Sequence, residues 1–188
     1  MDLQTTLLDK HLKAKAKVEA IAKMLLDGKI AVGELIRVAE GSKDKDKATC
    51  IEALEFATRA RPDIASSGCL DFVTGALLDE APRVKWESAK VVRNIAHRFP
   101  ARLADAIKNL LANSEHPGTV VRWSAAGALG AIVELGTTHN RDLVPAIEGR
   151  LERGDDDQAI RKIYQAALKK VARAAPAERP PARRRPRP

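Results

Sequence analysis

Two stretches of this sequence, Arg83-Val-Lys-Trp-Glu-Ser-Ala-Lys-Val-Val-Arg-Asn-Ile-Ala96 and Val120-Val-Arg-Trp-Ser-Ala-Ala-Gly-Ala-Leu-Gly-Ala-Ile-Val133, are versions of one pattern. In each, a valine precedes a basic residue and a tryptophan, and aligned positions lie 37 residues apart. A third version, 160–171, follows after another 39 residues, and a weaker one spans 48–57. The aligned pairs are Val84/Val121, Lys85/Arg122, Trp86/Trp123, Ala89/Ala126, Val92/Leu129 and Ile95/Ile132. Such a period is typical of stacked structural repeats.

Each copy has the apolar periodicity of a helix, and so do the segments between the copies, 64–78, 103–111 and 143–151. Aromatic residues make up only 3% of the chain, and no run alternates as a strand does. We therefore predict an all-α protein in which two kinds of helix alternate. The predicted helix pairs lie at residues 30–59, 62–97, 100–135 and 140–174.

Helix boundaries are indicated by prolines and by the N-terminal apolar stripe. Pro62, Pro100 and Pro145 lie at or in the first turn of the intervening helices, so no proline before the tail is expected inside a helix. A single long helix is predicted from Leu3 to Leu26, where it caps one end of the stack. Its apolar stripe comprises Leu7, Leu8, Leu12, Ala16, Ile21 and Leu25.

The period, together with the Val/Ile-Arg/Lys pair and the apolar positions that follow it, resembles the HEAT-repeat family of armadillo-like α-solenoids. The resemblance covers roughly residues 30–174. It implies a right-handed α-α superhelix of about four helix hairpins plus an N-terminal capping helix, forming one repeat domain over residues 1–174. One hairpin cannot bury its apolar stripe alone, whereas stacked neighbours bury a continuous seam.

The last residues differ sharply in composition. Segment 175–188 is rich in proline and carries half of the net charge of +8. Proline blocks helix and sheet, and the segment offers nothing apolar to bury, so we expect a disordered, extended basic tail. Its arginines, which are candidate contacts for an anionic partner, are Arg179, Arg183, Arg184, Arg185 and Arg187.

A candidate binding face follows from the repeat. The resemblance implies that the second helix of each pair lines the concave side, where such proteins hold their partners. Glycines 127 and 130 would floor a groove there, between the aligned tryptophans. The candidate partner-binding residues are Trp86, Lys90, Arg93, Trp123, Lys162, Lys169 and Arg173. The alternative is that the tryptophans pack between helices. Lys85, Arg122 and Arg161 are expected to be structural rather than partner-reading.

Enzymatic signals are weak. The four histidines are scattered, and neither a phosphate-binding glycine loop nor a spacing of metal ligands is present in the sequence. Cys50 and Cys69 are expected to be small buried hydrophobes. Some relatives of this repeat class act on alkylated DNA bases, but the tryptophan face has no aspartate for that role. We expect no cofactor, no metal and no small-molecule substrate.

The sequence alone leaves two candidate functions. The first is a non-enzymatic scaffold that binds a protein partner on its concave face. The second is binding of DNA or RNA through the basic, tryptophan-containing face and the arginine-rich tail, since phosphate contacts and base stacking need those residue types. The N-terminus lacks a basic start followed by an apolar stretch, and no window reaches the length of a membrane span, so we expect a cytoplasmic protein without membrane contact.

Overall fold

A computed structural model describes residues 2–154 and 156–174; the tail with its five arginines lies outside these residues. Within them the chain forms ten α-helices and no strand. The all-α prediction and its four helix pairs are confirmed, as α3/α4, α5/α6, α7/α8 and α9/α10. The helices are α1 (Leu3–Leu8), α2 (Ala14–Leu26), α3 (Val32–Glu40), α4 (Asp44–Ala60), α5 (Ser67–Ala76), α6 (Pro82–Ile95), α7 (Ala104–Ser114), α8 (Thr119–Glu134), α9 (Asn140–Arg153) and α10 (Gln158–Ala174).

The helices form two rows. The inner row, α2, α4, α6, α8 and α10, is packed side by side with extensive contact between consecutive helices. Helices α3, α5, α7 and α9 form the outer row, in which consecutive helices contact one another far less. Closer packing on one side of a stack curves the stack towards that side. The inner row, which contains the repeated tryptophan helices, is therefore the concave side.

The core follows the repeated pattern. Val84, Val121 and Ile160 are buried at the start of α6, α8 and α10, and Ile95 and Ile132 are buried near the ends of the first two. Fully burying a side chain of this size contributes about 1.5–3 kcal/mol each. Because each inner helix buries the same positions against the next, the repeats share one continuous apolar seam.

The single long helix predicted for residues 3–26 is wrong, because the chain forms α1 and α2 instead. Asp9 is extended, and its carboxylate accepts the backbone N–H of His11 at 2.7 Å, which ends the helical pattern. From α2, Lys17 donates to the carbonyl of Leu7 at the open end of α1. The break leaves Leu8 exposed. Helix α2 occupies the end position of the inner row, beside α4.

The predicted position of Pro145 in the first turn of its helix is also wrong. Helix α9 begins at Asn140, the start of the predicted pair 140–174, so Pro145 lies inside the helix rather than in its first turn. Proline has no backbone N–H, so the carbonyl four residues earlier loses its helical donor. That carbonyl belongs to Arg141, an exposed residue, and water can therefore take the place of the missing donor.

The basic residue of each repeat pair is structural, as predicted. Each one donates to a backbone carbonyl at or just beyond the end of the preceding outer-row helix, which ties the two helices of the pair together. Lys85 Nζ donates to the carbonyl of Leu77 (3.2 Å), Arg122 Nη1 to that of Pro117 (3.0 Å), and Arg161 Nη1 to that of Leu151 (3.0 Å).

The two cysteines are buried in helices α4 and α5. Burial raises the pKa of the Cys50 thiol to about 12, with a smaller contribution from the charge of Asp46, and burial alone raises the pKa of Cys69 to about 12. Both thiols are therefore protonated at neutral pH and behave as the small hydrophobes that the sequence predicts.

Candidate binding cleft on the inner row

A cleft opens on the inner row between α8 and α10. It has a volume of about 350 Å³, and α6 contributes one side chain, Arg93. The indole of Trp123 stands at this cleft and is 41% exposed, which is unusual for so large an apolar group. We call it the α8–α10 cleft; its lining residues are Arg93, Trp123, Gly127, Gly130, Ala131, Glu134, Ile163, Ala166, Ala167 and Lys170.

Two glycines of α8, Gly127 and Gly130, line the α8–α10 cleft. A β-carbon on Gly130 would meet Ala167 Cβ and Ile163 Cγ2 at 3.5 Å, so this glycine lies opposite the apolar wall of α10. At Gly127 a β-carbon would come within 3.3 Å of Arg93 Nη1. The missing side chain of Gly127 therefore leaves the space in which the guanidinium of Arg93 lies.

The charged side chains of the cleft differ in whether they have hydrogen-bond or ion-pair partners. Both carboxylate oxygens of Glu134 accept hydrogen bonds from Lys170 Nζ, each at 2.9 Å. The guanidinium of Arg93 has no hydrogen-bond or ion-pair partner within residues 2–154 and 156–174. The cleft thus contains the Glu134–Lys170 ion pair, whose charges cancel, the guanidinium of Arg93 without an acidic partner among the described residues, and apolar side chains.

Trp86 and Lys90 do not line the α8–α10 cleft. They meet at the buried carboxylate of Glu87, which accepts from Trp86 Nε1 at 2.7 Å and from Lys90 Nζ at 2.9 Å. Lys90 also lies 3.7 Å from the second buried carboxylate, Glu55. Trp86 is half-buried as a result, whereas Trp123 is exposed. The aligned tryptophans therefore occupy different environments.

The predicted residues of α10 lie beside the cleft rather than in it. Lys162, Lys169 and Arg173 are exposed and share one side of the helix with Ala166, which does reach the cleft. None of the three has an acidic partner in the part of the chain that the structure describes. These three side chains form a basic edge along α10, beside the cleft.

A second cleft, of about 420 Å³, lies at the other end of the inner row between α2 and α4. Its walls include Leu26 and Phe56, and the Arg59 guanidinium carbon lies 4.6 Å from the centre of the Phe56 ring. Arg59 is also 3.8 Å from Glu55, which connects this cleft to the Lys90 and Glu87 group. Both clefts are formed by helices of the inner row.

Sequence reasoning missed several of these groups. Ile163 and Lys170 directly follow two predicted site residues, Lys162 and Lys169, and only the register between α8 and α10 brings them into the cleft. Glu55 and Glu87 lie on buried faces of their helices. A charged residue on an otherwise apolar face was a usable signal, since buried carboxylates need partners.

Residues 2–154 and 156–174 contain no group of three or more His, Cys, Asp or Glu side chains placed to hold a metal ion. Of the helices that they form, none is both long and apolar enough to cross a bilayer.

Comparison with known proteins gives the fold. No protein-family model matches the sequence, and no curated protein does. A designed armadillo repeat protein superposes with a TM-score of 0.68 at 18% identity, over 90% of this chain and 80% of the designed one. Another, in complex with the peptide (KR)4, superposes with a TM-score of 0.70 at the same identity and coverage. The chain has an armadillo-like α-solenoid fold. This is the solenoid that the repeated tryptophan helices predict.

Proposed function

We propose that this solenoid is a binding scaffold that holds an extended segment of a partner protein along its inner row. The observation that carries the proposal is the α8–α10 cleft, where a tryptophan that is 41% exposed stands over a glycine floor on the concave side. Large, exposed aromatic groups in concave, largely apolar sites are typical anchors for partners. A second cleft lies on the same row, between α2 and α4.

The structural neighbours support this proposal. One designed armadillo repeat protein of the same fold is in complex with the peptide (KR)4. A solenoid of these dimensions can therefore accommodate a peptide. The cleft residues of the present chain, not the neighbour's ligand, determine which peptide binds here.

Selection from a random-peptide library tests the proposal. Phage-displayed twelve-residue peptides are selected on the immobilised full chain, and the enriched sequences are synthesised and titrated by isothermal calorimetry. We expect enriched peptides to bind the wild type and to lose about tenfold or more in affinity on Trp123→Ala, because that change removes the anchor of the cleft.

Leu78→Ala is the matched control. Leu78 is another exposed large apolar residue, 61% accessible, but it follows α5 in the outer row. Its substitution is expected to leave the affinity unchanged. Enriched peptides that bind both variants as tightly as the wild type would show that the inner cleft is not the binding surface.

Nucleic acid is the second candidate partner. The basic edge formed by Lys162, Lys169 and Arg173 along α10, together with the exposed Trp123 of the adjacent cleft, favours it, because phosphates and stacked bases need such groups. This edge lies next to the cleft rather than inside it, and we therefore rank nucleic acid second. Single-stranded DNA is therefore titrated against the full chain alongside the peptides.

A further inference from the structure

The α8–α10 cleft carries one positive charge that no side chain of the described residues balances. Three charged side chains line it, and two of them, Glu134 and Lys170, neutralise each other. Arg93 is the third, and it has no acceptor among the described residues. A ligand group that enters the cleft therefore meets a guanidinium with free donors.

Arg93 is positioned at the cleft by the shape of its neighbour. Its Nη1 lies 3.3 Å and its Cδ 3.7 Å from the point where a β-carbon of Gly127 would be. The side chain thus lies along the glycine surface of α8, in the same cleft as Trp123. A planar guanidinium can offer two parallel donors to a carboxylate, which is the geometry that distinguishes arginine from lysine.

A basic ligand would find no free carboxylate nearby. Glu134 is bound by Lys170 through both oxygens. Glu87 is bound by Trp86 and Lys90, and Glu55 is buried between Lys90 and Arg59. Every carboxylate on this part of the inner row is already engaged within the chain. A lysine or arginine of a ligand would instead meet Arg93 and be repelled.

The rest of the cleft is apolar. Trp123 on α8 and Ile163 on α10 face it, together with the small residues Ala131, Ala166 and Ala167. These walls fit an aromatic or aliphatic side chain rather than a second charge. The ligand chemistry that matches the whole cleft is an acidic group next to an apolar one.

We infer that the α8–α10 cleft binds an acidic peptide segment, in which an aspartate or glutamate pairs with Arg93 and a neighbouring aromatic or aliphatic side chain packs against Trp123 and Ile163. The inference rests on the proposed peptide-binding function and specifies its partner. It sets this solenoid apart from the neighbour that is in complex with (KR)4, although the two share a fold.

Fluorescence anisotropy with three labelled octapeptides tests the inference on the full chain. The acidic peptide is two copies of Asp-Phe-Asp-Gly, the neutral one has Asn in place of every Asp, and the basic one is (KR)4. Since a charge-assisted pair is stronger than a neutral hydrogen bond, the acidic peptide should bind about tenfold or more tightly than the neutral one, with the basic one weakest.

Two arginine variants separate a specific contact from net charge. Arg93→Gln is expected to bring the acidic peptide down to the affinity of the neutral one. Arg37→Gln removes the same charge from α3 in the outer row, at another exposed arginine, and should leave the affinities in the wild-type order. An equal loss in both variants would indicate only long-range attraction and would overturn the inference.

The other possible results distinguish failure of the acidic inference from failure of the proposed function. If the neutral or basic peptide binds as tightly as the acidic one, the acidic inference is overturned while the proposed function stands. If a labelled single-stranded DNA of twenty thymidines binds more tightly than any peptide, and does so through Arg93, nucleic acid is the partner and both proposals fail. If no octapeptide binds, the acidic inference is overturned, and the library selection alone decides the proposed function.

Discussion

The substitution Leu129→Ala is expected to lower the free energy of unfolding by about 3 kcal/mol. Leu129 is fully buried in α8, and that helix packs against α6, α7 and α10. The change removes apolar contacts and leaves a cavity that the surrounding helices fill only in part. Because α8 joins two repeats of the inner row, the loss should affect the whole stack. Urea denaturation followed by circular dichroism measures it.

Leu78→Ala makes the same chemical change at a residue that is 61% exposed, and it should cost less than about 0.5 kcal/mol. Equal losses at the two positions would contradict the assignment of α8 to the core. The repeat architecture would also be contradicted by a Leu129→Ala protein as stable as the wild type.

Asp156→Ala is the second large effect, with an expected loss of about 3 kcal/mol. Asp156 is buried and pairs with Arg150, which is buried too; its oxygens lie 2.7 Å from Nε and 2.8 Å from Nη2. Burial is the largest single influence and lowers the pKa of Arg150, but the hydrogen bond to Asp156 and the charges of Asp156 and Glu115 together outweigh it, so the pKa is raised. Removing the carboxylate leaves Arg150 buried with Glu115 as its remaining acidic partner.

The neighbouring residue provides the control for that experiment. Asp157 is 53% exposed and lies 3.2 Å from Arg122, so its ion pair is a surface one. Asp157→Asn should cost less than about 1 kcal/mol. Thermal unfolding of the two variants in parallel, at equal ionic strength, tests the difference. Similar destabilisation by both changes would rule out a buried role that is special to Asp156.

The architecture was predictable because it depends on a pattern that recurs. Val84, Val121 and Ile160 mark the same buried position in three helices, and the offsets of 37 and 39 residues give the period. Helix pairing then follows, since each amphipathic hairpin needs a neighbour to cover its apolar face. This reasoning uses only the spacing of apolar residues, which is a local property of the sequence.

The errors arose where single polar contacts decide the outcome. The break between α1 and α2 depends on the carboxylate of Asp9 and on the hydrogen bond from Lys17 to the carbonyl of Leu7 in α1. The sequence has no glycine or proline at this point that would indicate a break. Pro145 was placed in a first turn because the apolar periodicity of this segment begins only at Leu143, whereas α9 itself starts at Asn140. Helix termini are the least certain part of any such prediction.

The cleft was predictable only in part. Arg93, Trp123 and the two glycines of α8 were expected on one face, and the structure brings them together. Trp86 was expected on the same face, but it does not line the cleft. Its indole N–H donates instead to Glu87, its neighbour in sequence. The partners from α10 depend on how α8 and α10 are aligned along their axes, and a single sequence contains no record of that register.

The most direct test of the central claim is the indole region of a ¹⁵N-¹H correlation spectrum, recorded on the full chain labelled at tryptophan. The chain has two tryptophans, so two indole signals are expected, and a Trp86→Phe variant assigns them. When a peptide from the library selection is added, we expect the Trp123 signal to shift with the binding isotherm, more than the Trp86 signal does. Saturable binding that leaves the Trp123 signal unmoved would contradict a peptide site on the inner row.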